Sequence, residues 1–166
     1  MASIESRSRE DWQELDREHH LHPFTDHKDL HEKRSRIITR AEGVYIYDAD
    51  GSRILDGMSG LWCVNAGYGR QEIVDAAAEQ MKELPYYNNF FKCSNQPAAE
   101  LAGALVEVTP PQFNHVFFTN SGAESNEAAI KIARVFGHRK DIDNPAIIVT
   151  QNSFHGRTLA TLTATG

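Results

Sequence analysis

At 166 residues the chain is long enough for one domain with a sizeable core. A formal charge of −6, from 17 Lys plus Arg against 23 Asp plus Glu, gives no reason to expect a basic patch for nucleic acid and makes small molecules the expected partners. Two cysteines, Cys63 and Cys93, fit reduced thiols in a cytoplasmic protein, and the first 17 residues lack the apolar stretch of a signal peptide or a membrane span.

Taken in chain order, Trp12, Leu15 and His19 recur at helical spacing among charged residues, which predicts a short, peripheral amphipathic helix over 8–20. His19, His20, His22, Asp26, His27 and His31 follow. Imidazoles and carboxylates are zinc ligands, but no His-Glu-x-x-His pattern is present and Pro23 interrupts the run, so no metal centre is expected. Over 40–56, Val44, Ile46 and Ile54 alternate with Tyr45, Tyr47 and Arg53 around Asp50-Gly51. That pattern predicts a β-hairpin, since glycine accepts the positive φ of a tight turn. The loop 56–62 carries two glycines and presents Leu61 and Trp62. Core packing and a pocket wall are both open readings for Trp62.

A helix is predicted over about 71–84, with Ile73, Ala77, Met81 and Leu84 on one face and Pro85 as its stop. Tyr86, Tyr87, Phe90 and Phe91 surround Asn88-Asn89, a cluster suited to core or interface. A second helix is predicted over about 97–108, with Leu101, Leu105 and Val108 as its apolar stripe.

The stretch 115–134 reads as strand, polar turn and helix. Val116, Phe117 and Phe118 make an apolar run too short for a helix, whereas Ala128, Ala129, Ile130, Ile132 and Ala133 suit one. Ser121 followed by Glu124 is a capping-box pattern, which starts the helix at Ser121 and leaves backbone N–H groups at Gly122, Ala123 and Glu124 pointing out of its end. Such an end suits a phosphate, and Gly122 has no side chain to keep one away. An ordinary capped helix is the competing reading. A further β-branched run at 146–150 leads into Phe154-His155-Gly156. If the two runs are parallel strands, both turns face one crevice beyond their carboxyl ends.

These two turns, Ser121-Gly-Ala-Glu124 and Phe154-His-Gly156, resemble those of the class III pyridoxal-phosphate aminotransferases. The resemblance extends to 20–25, to the 43–56 hairpin and to 59–65. Gly60-Leu-Trp62 and 84–91 look most like ω-transaminases, while 126–131 and 154–159 look more like acetylornithine-type members. It implies an α/β fold, the N-terminal part of a fold type I aminotransferase. Residues 1–65 would belong to the small domain and 66–166 would begin the large, mostly parallel-sheet cofactor domain.

The resemblance implies pyridoxal 5'-phosphate as cofactor, with Ser121, Gly122 and the Ala123 amide on its phosphate and Phe154 over its ring. His155 either abuts the cofactor or braces the turn, the second role being preferred. Leu61 and Trp62 would line the substrate pocket, and Phe90 would reach it across a homodimer interface. An amino donor and a keto acid would be the substrates.

No residue here is expected to be catalytic. The family's cofactor-bearing lysine lies downstream of the aromatic-His-Gly turn, and Lys131 is read as a solvated helix residue. The chain is therefore expected to be an N-terminal fragment without transaminase activity alone. A non-catalytic binding or assembly module and a small metal-dependent hydrolase built on the histidine cluster are the readings from other classes.

Overall fold

The computed structural model describes residues 7–166, so the opening of the N-terminal stretch discussed above, 1–6, lies outside the described residues. The chain forms two compact units, 1–86 and 87–166.

In the first unit, helix α1 (Arg9–His19) starts at Ser8, whose hydroxyl accepts from the Asp11 N–H while the Asp11 carboxylate accepts from the Ser8 N–H. This reciprocal cap satisfies two donors that a helix end otherwise leaves open. Helix α2 (His27–Lys33), not foreseen in the sequence, is capped by Asp26, which accepts from Lys28 and Asp29. Arg9 pairs with Asp50 at 2.5 Å, and Gln13 donates to the Ser35 carbonyl at 2.8 Å, which ties α1 to the sheet that follows.

That sheet exceeds the predicted hairpin by one strand. Strands β1 (Ile38–Glu42), β2 (Tyr45–Asp48) and β3 (Arg53–Leu55) form an antiparallel meander in the order β1-β2-β3. Ile46 stands opposite Ile54 and Tyr47 opposite Arg53, in the predicted alternation. Gly51 makes the second turn at φ +80° and Gly43 the first at +58°. The guanidinium groups of Arg40 and Arg53 each stack 3.6 Å from a tyrosine ring, Tyr47 and Tyr45 respectively, which covers the polar face of the sheet. Helix α3 (Ser59–Trp62) is a single left-handed turn, and helix α4 (Gln71–Glu83) matches the predicted 71–84 segment.

In the second unit, helix α5 (Gln96–Val108) is capped by Asn95 and carries proline in its first turn. Helix α6 (Gly122–Arg139) starts behind Ser121, and helix α7 (Leu159–Ala164) packs against α6. The runs 116–118 and 146–150 are not strands. Their composition is that of buried strands, but a strand exists only with a hydrogen-bonded neighbour, and neither run has one among the described residues.

The expected core is also missing. No large apolar side chain is buried among the described residues, and 14,111 Å² of surface is accessible, against about 8,200 Å² for a folded monomer of this mass. The apolar stripes of the helices are where the sequence puts them, with Ile73, Met81, Leu101, Val108, Ile132 and Phe136 all exposed.

Candidate cofactor site

The site is built around the start of α6. Ser121 adopts extended backbone angles and its hydroxyl accepts from the Glu124 N–H at 3.2 Å. The Glu124 carboxylate reaches one residue further back than a standard capping box and accepts from the Asn120 N–H at 2.8 Å. Of the three open amides predicted, Glu124 is therefore satisfied, and the Gly122 and Ala123 N–H groups are left without an acceptor among the described residues. A Cβ at Gly122 would meet nothing within 4 Å, so the space in front of these donors is open.

The turn 154–156 is held against this helix by backbone and side-chain bonds together. Asn126, one turn into α6, donates to the His155 carbonyl at 2.7 Å. Glu127 accepts from the Ala160 N–H at 3.0 Å, anchoring the start of α7. Its carboxyl is held below the usual range by the hydrogen bond from Thr158 and the amides of Ala160 and Thr161, against the opposing effect of burial. Thr165 accepts from the His155 N–H at 3.1 Å. Gly156, at φ +134°, has no room for a side chain, since a Cβ there would lie 2.5 Å from Thr161 Oγ1 and 2.8 Å from the Ala123 Cβ. Only glycine fits both the angle and the approach.

Ser121, Gly122, Ala123, Asn126, Phe154, His155, Gly156 and Arg157 consequently line one open cleft of about 350 Å³. All five residues predicted for the cofactor are among them. His155 braces the turn through its main chain, while its Nε2 is buried with no hydrogen-bond partner. Gly156 is at the cleft as part of the predicted Phe154-His155-Gly156 turn, whereas Asn126 and Arg157 were missed. Gly156 had a signal in its own identity, but Asn126 reads as an ordinary helix residue until position 155 is seen beside it.

Leu61 and Trp62 belong to the first unit and are exposed, Trp62 at 77%. Phe90 is exposed, 6.2 Å from the ring of Phe91, and is not among the residues lining the cleft. Lys131 is exposed on α6 and lies outside the cleft too. Cys63 and Cys93 are free thiols. No helix among the described residues is long and apolar enough to cross a membrane.

Residues 28–166 match the family model described as aminotransferase class-III. The chain belongs to the class III aminotransferases. It is 49% identical over 160 residues to the putrescine–pyruvate aminotransferase of Pseudomonas aeruginosa, a match that covers 96% of this chain and 35% of that protein. Among solved structures, a thermostable (S)-enantioselective ω-transaminase from Thermomicrobium roseum superposes with a TM-score of 0.92 at 40% identity, covering 97% of this chain and 36% of that one. The ω-transaminase from Pseudomonas jessenii in complex with PMP gives 0.87 at 34%, over 93% and 34%. This class III chain thus has the fold of a fold type I transaminase segment and spans about a third of the length of the relatives it matches.

Class III aminotransferases depend on pyridoxal phosphate, and the site fits that group. Two open amides at a helix start suit its phosphate, the empty space at Gly122 admits it, and Phe154 beside the cleft supplies an aromatic face.

Proposed function

We propose that this chain forms the N-terminal part of a pyridoxal-phosphate-dependent transaminase that moves an amino group from an amine or ω-amino acid to a keto acid such as pyruvate. The observation that carries this is the convergence on one cleft of the Gly122 and Ala123 amides, the Ser121 hydroxyl and the Phe154 ring. The putrescine–pyruvate relative supports the choice of an amine donor and pyruvate.

When bound, the cofactor supplies the electron sink that lets an amine be exchanged for a carbonyl. This chain's residues supply orientation. The Gly122 and Ala123 amides and the helix dipole hold the phosphate without needing a cation. Phe154 offers a flat apolar face that fixes the plane of the ring and sheds water from it. Asn126 and Gly156 keep the two halves of the cleft in register. Leu61 and Trp62 give the substrate pocket an apolar wall, and Phe90 is contributed across a homodimer interface. The proton-moving lysine is supplied from outside these 166 residues, so the chain alone is inactive. A cytoplasmic location suits two unpaired thiols.

The test is alanine formation from pyruvate with putrescine or β-alanine as donor, on the protein from its native source. Intact mass and borohydride trapping followed by peptide mapping are measured on the same sample. Amine-dependent alanine formation, with the trapped adduct on a lysine beyond position 166, is the expected outcome. A stable 18.6 kDa product that traps no cofactor would replace this reading with a non-catalytic module.

A further inference from the structure

We propose that Asp16, His20 and His22 form a binding site for a divalent transition-metal cation of the zinc class. Asp16 and His20 are four residues apart at the end of α1, which puts them on one helix face. His20 leaves the helix in extended conformation, at φ −107° and ψ 114°. Side chains two apart on an extended segment share a side, and His22 indeed returns to the same carboxylate.

The result is a tight three-donor cluster. His20 Nδ1 lies 3.0 Å from Asp16 Oδ1, and His22 Nε2 lies 2.9 Å from both Asp16 oxygens. One ligand atom from each residue falls within 4.8 Å of the other two. The imidazoles stack at 4.1 Å between centroids, tilted by 39°. A cation with bonds of about 2.0–2.2 Å in a tetrahedral site needs its donors about 3.3–3.5 Å apart. The Asp16–His distances of 2.9–3.0 Å therefore open by under an ångström, while the fourth position stays open to water.

The donor set decides the class of ion. Two imidazole nitrogens and one carboxylate suit zinc, cobalt, nickel or copper, whereas calcium and magnesium require mostly oxygen. Each ring would bind through its unprotonated nitrogen, Nδ1 of His20 and Nε2 of His22, so that each neutral imidazole carries its single proton on the other nitrogen. Asp16 and His22 are largely shielded, with side-chain exposures of 17% and 22%, and only His20 faces solvent at 60%. Sequence spacing hid the site, because the histidine run invites pairing among His19, His27 and His31, while the carboxylate comes from the preceding helix. Its occupant would clamp the end of α1 to the segment that leads into Pro23. This inference does not depend on the transaminase reading.

The test is titration of untagged full-length protein with Zn²⁺ by calorimetry and with Co²⁺ by visible absorption, at pH 7.5. Wild type is compared with His20→Ala, His22→Ala and Asp16→Asn, and with His27→Ala as control. Each variant is first checked for native circular dichroism. Subtracting the His20→Ala/His22→Ala double variant removes any metal taken by the cofactor. The expected result is one site per chain with tetrahedral Co²⁺ bands. Losing a partner that merely supports a ligand weakens binding about 10- to 100-fold, so losing a ligand weakens it at least that much, and His27→Ala leaves it unchanged. The exposed His20→Ala should fold whatever happens to the others. Binding that His20→Ala leaves intact, or no binding beyond that of the double variant, overturns the proposal and leaves a hydrogen-bonded structural cluster.

Discussion

The Tyr68 hydroxyl donates to Asp56 Oδ2 at 2.7 Å, and this bond anchors the turn that carries Trp62. The same oxygen accepts the Gly60 N–H at 2.7 Å, and Oδ1 accepts the Met58 N–H at 3.2 Å. Tyr68 is itself fixed by a two-way backbone bridge to Gly43, at 2.7 and 3.1 Å. Ser59, Gly60, Leu61 and Trp62 all have φ between +49° and +64°. Each non-glycine residue in that conformation costs about 1–2 kcal/mol, so the turn exists because Asp56 and Tyr68 hold it. Asp56→Ala should release it, and hydrogen exchange of the Met58 and Gly60 amides in the full-length protein should accelerate at least about tenfold. Unchanged protection would show that the turn is held by something else.

Acid should act on the same contact. The Tyr68 hydrogen bond, with the Gly60 and Met58 amides, holds the Asp56 carboxyl below its usual range against the opposing effect of burial. A depressed folded value stabilises the protein above the unfolded value of about 3.9, and that contribution is lost as pH falls through the folded value. Tyr68→Phe lets the folded value rise toward the unfolded one. In the full-length protein the acid-unfolding midpoint of the variant, followed by circular dichroism, should therefore move to higher pH, while Tyr86→Phe should not move it.

Two glycines of the cofactor cleft make opposite predictions. Gly122→Ala meets open space and should leave the melting temperature of the cofactor-free full-length protein unchanged. Its methyl would press on a bound phosphate, and overpacking of about 1–3 kcal/mol corresponds to roughly 5- to 150-fold in cofactor affinity. Gly156→Ala collides with Thr161 and Ala123 in either state. It should lower the melting temperature with or without cofactor, and a cofactor titration followed by melting separates the two cases.

The local signals of this chain were legible. Ser121 as a cap, Gly51 as a hairpin turn and the stops of α4 and α5 are each set by residues within four positions of one another. What escaped notice was set by distance or by partners. Asn126 and position 155 are 29 residues apart, and Asp56 and Tyr68 are 12 apart, so nothing in the neighbourhood of either marks the bond. Val116–Phe118 and the 146–150 run have the composition of strands, but composition cannot provide the neighbouring backbone. The left-handed turn at Leu61 and Trp62 opposes their intrinsic preference, which is why no propensity pattern reveals it.

Asn126→Asp keeps the shape of the side chain and replaces a donor with a carboxylate facing the His155 carbonyl. Leaving that half-buried carbonyl unsatisfied costs about 1–3 kcal/mol. The 154–156 turn should loosen from α6, so cofactor affinity should fall in proportion. Asn126→Ser, with a shorter hydroxyl donor, should do less harm. Equal affinities for wild type and Asn126→Asp would mean that the turn is positioned by Gly156 and Thr165 alone.

The 166-residue chain in isolation should not behave as a folded domain. Its accessible surface of 14,111 Å² exceeds that of a folded monomer of its mass by about 6,000 Å², and Phe91, Val108, Ile148 and Leu159 are each at least 80% exposed. Patches beyond a few hundred Å² are covered in stable proteins. Hydrophobic burial is the main force that offsets chain entropy, and here it has almost no partner surface to act on. The purified chain should bind a hydrophobic dye such as ANS and melt without a cooperative transition. The capped helices α1 and α6 would account for most of its circular dichroism. A sharp two-state melt without dye binding would mean that the chain covers these faces by self-association, which sedimentation would reveal as a concentration-dependent oligomer.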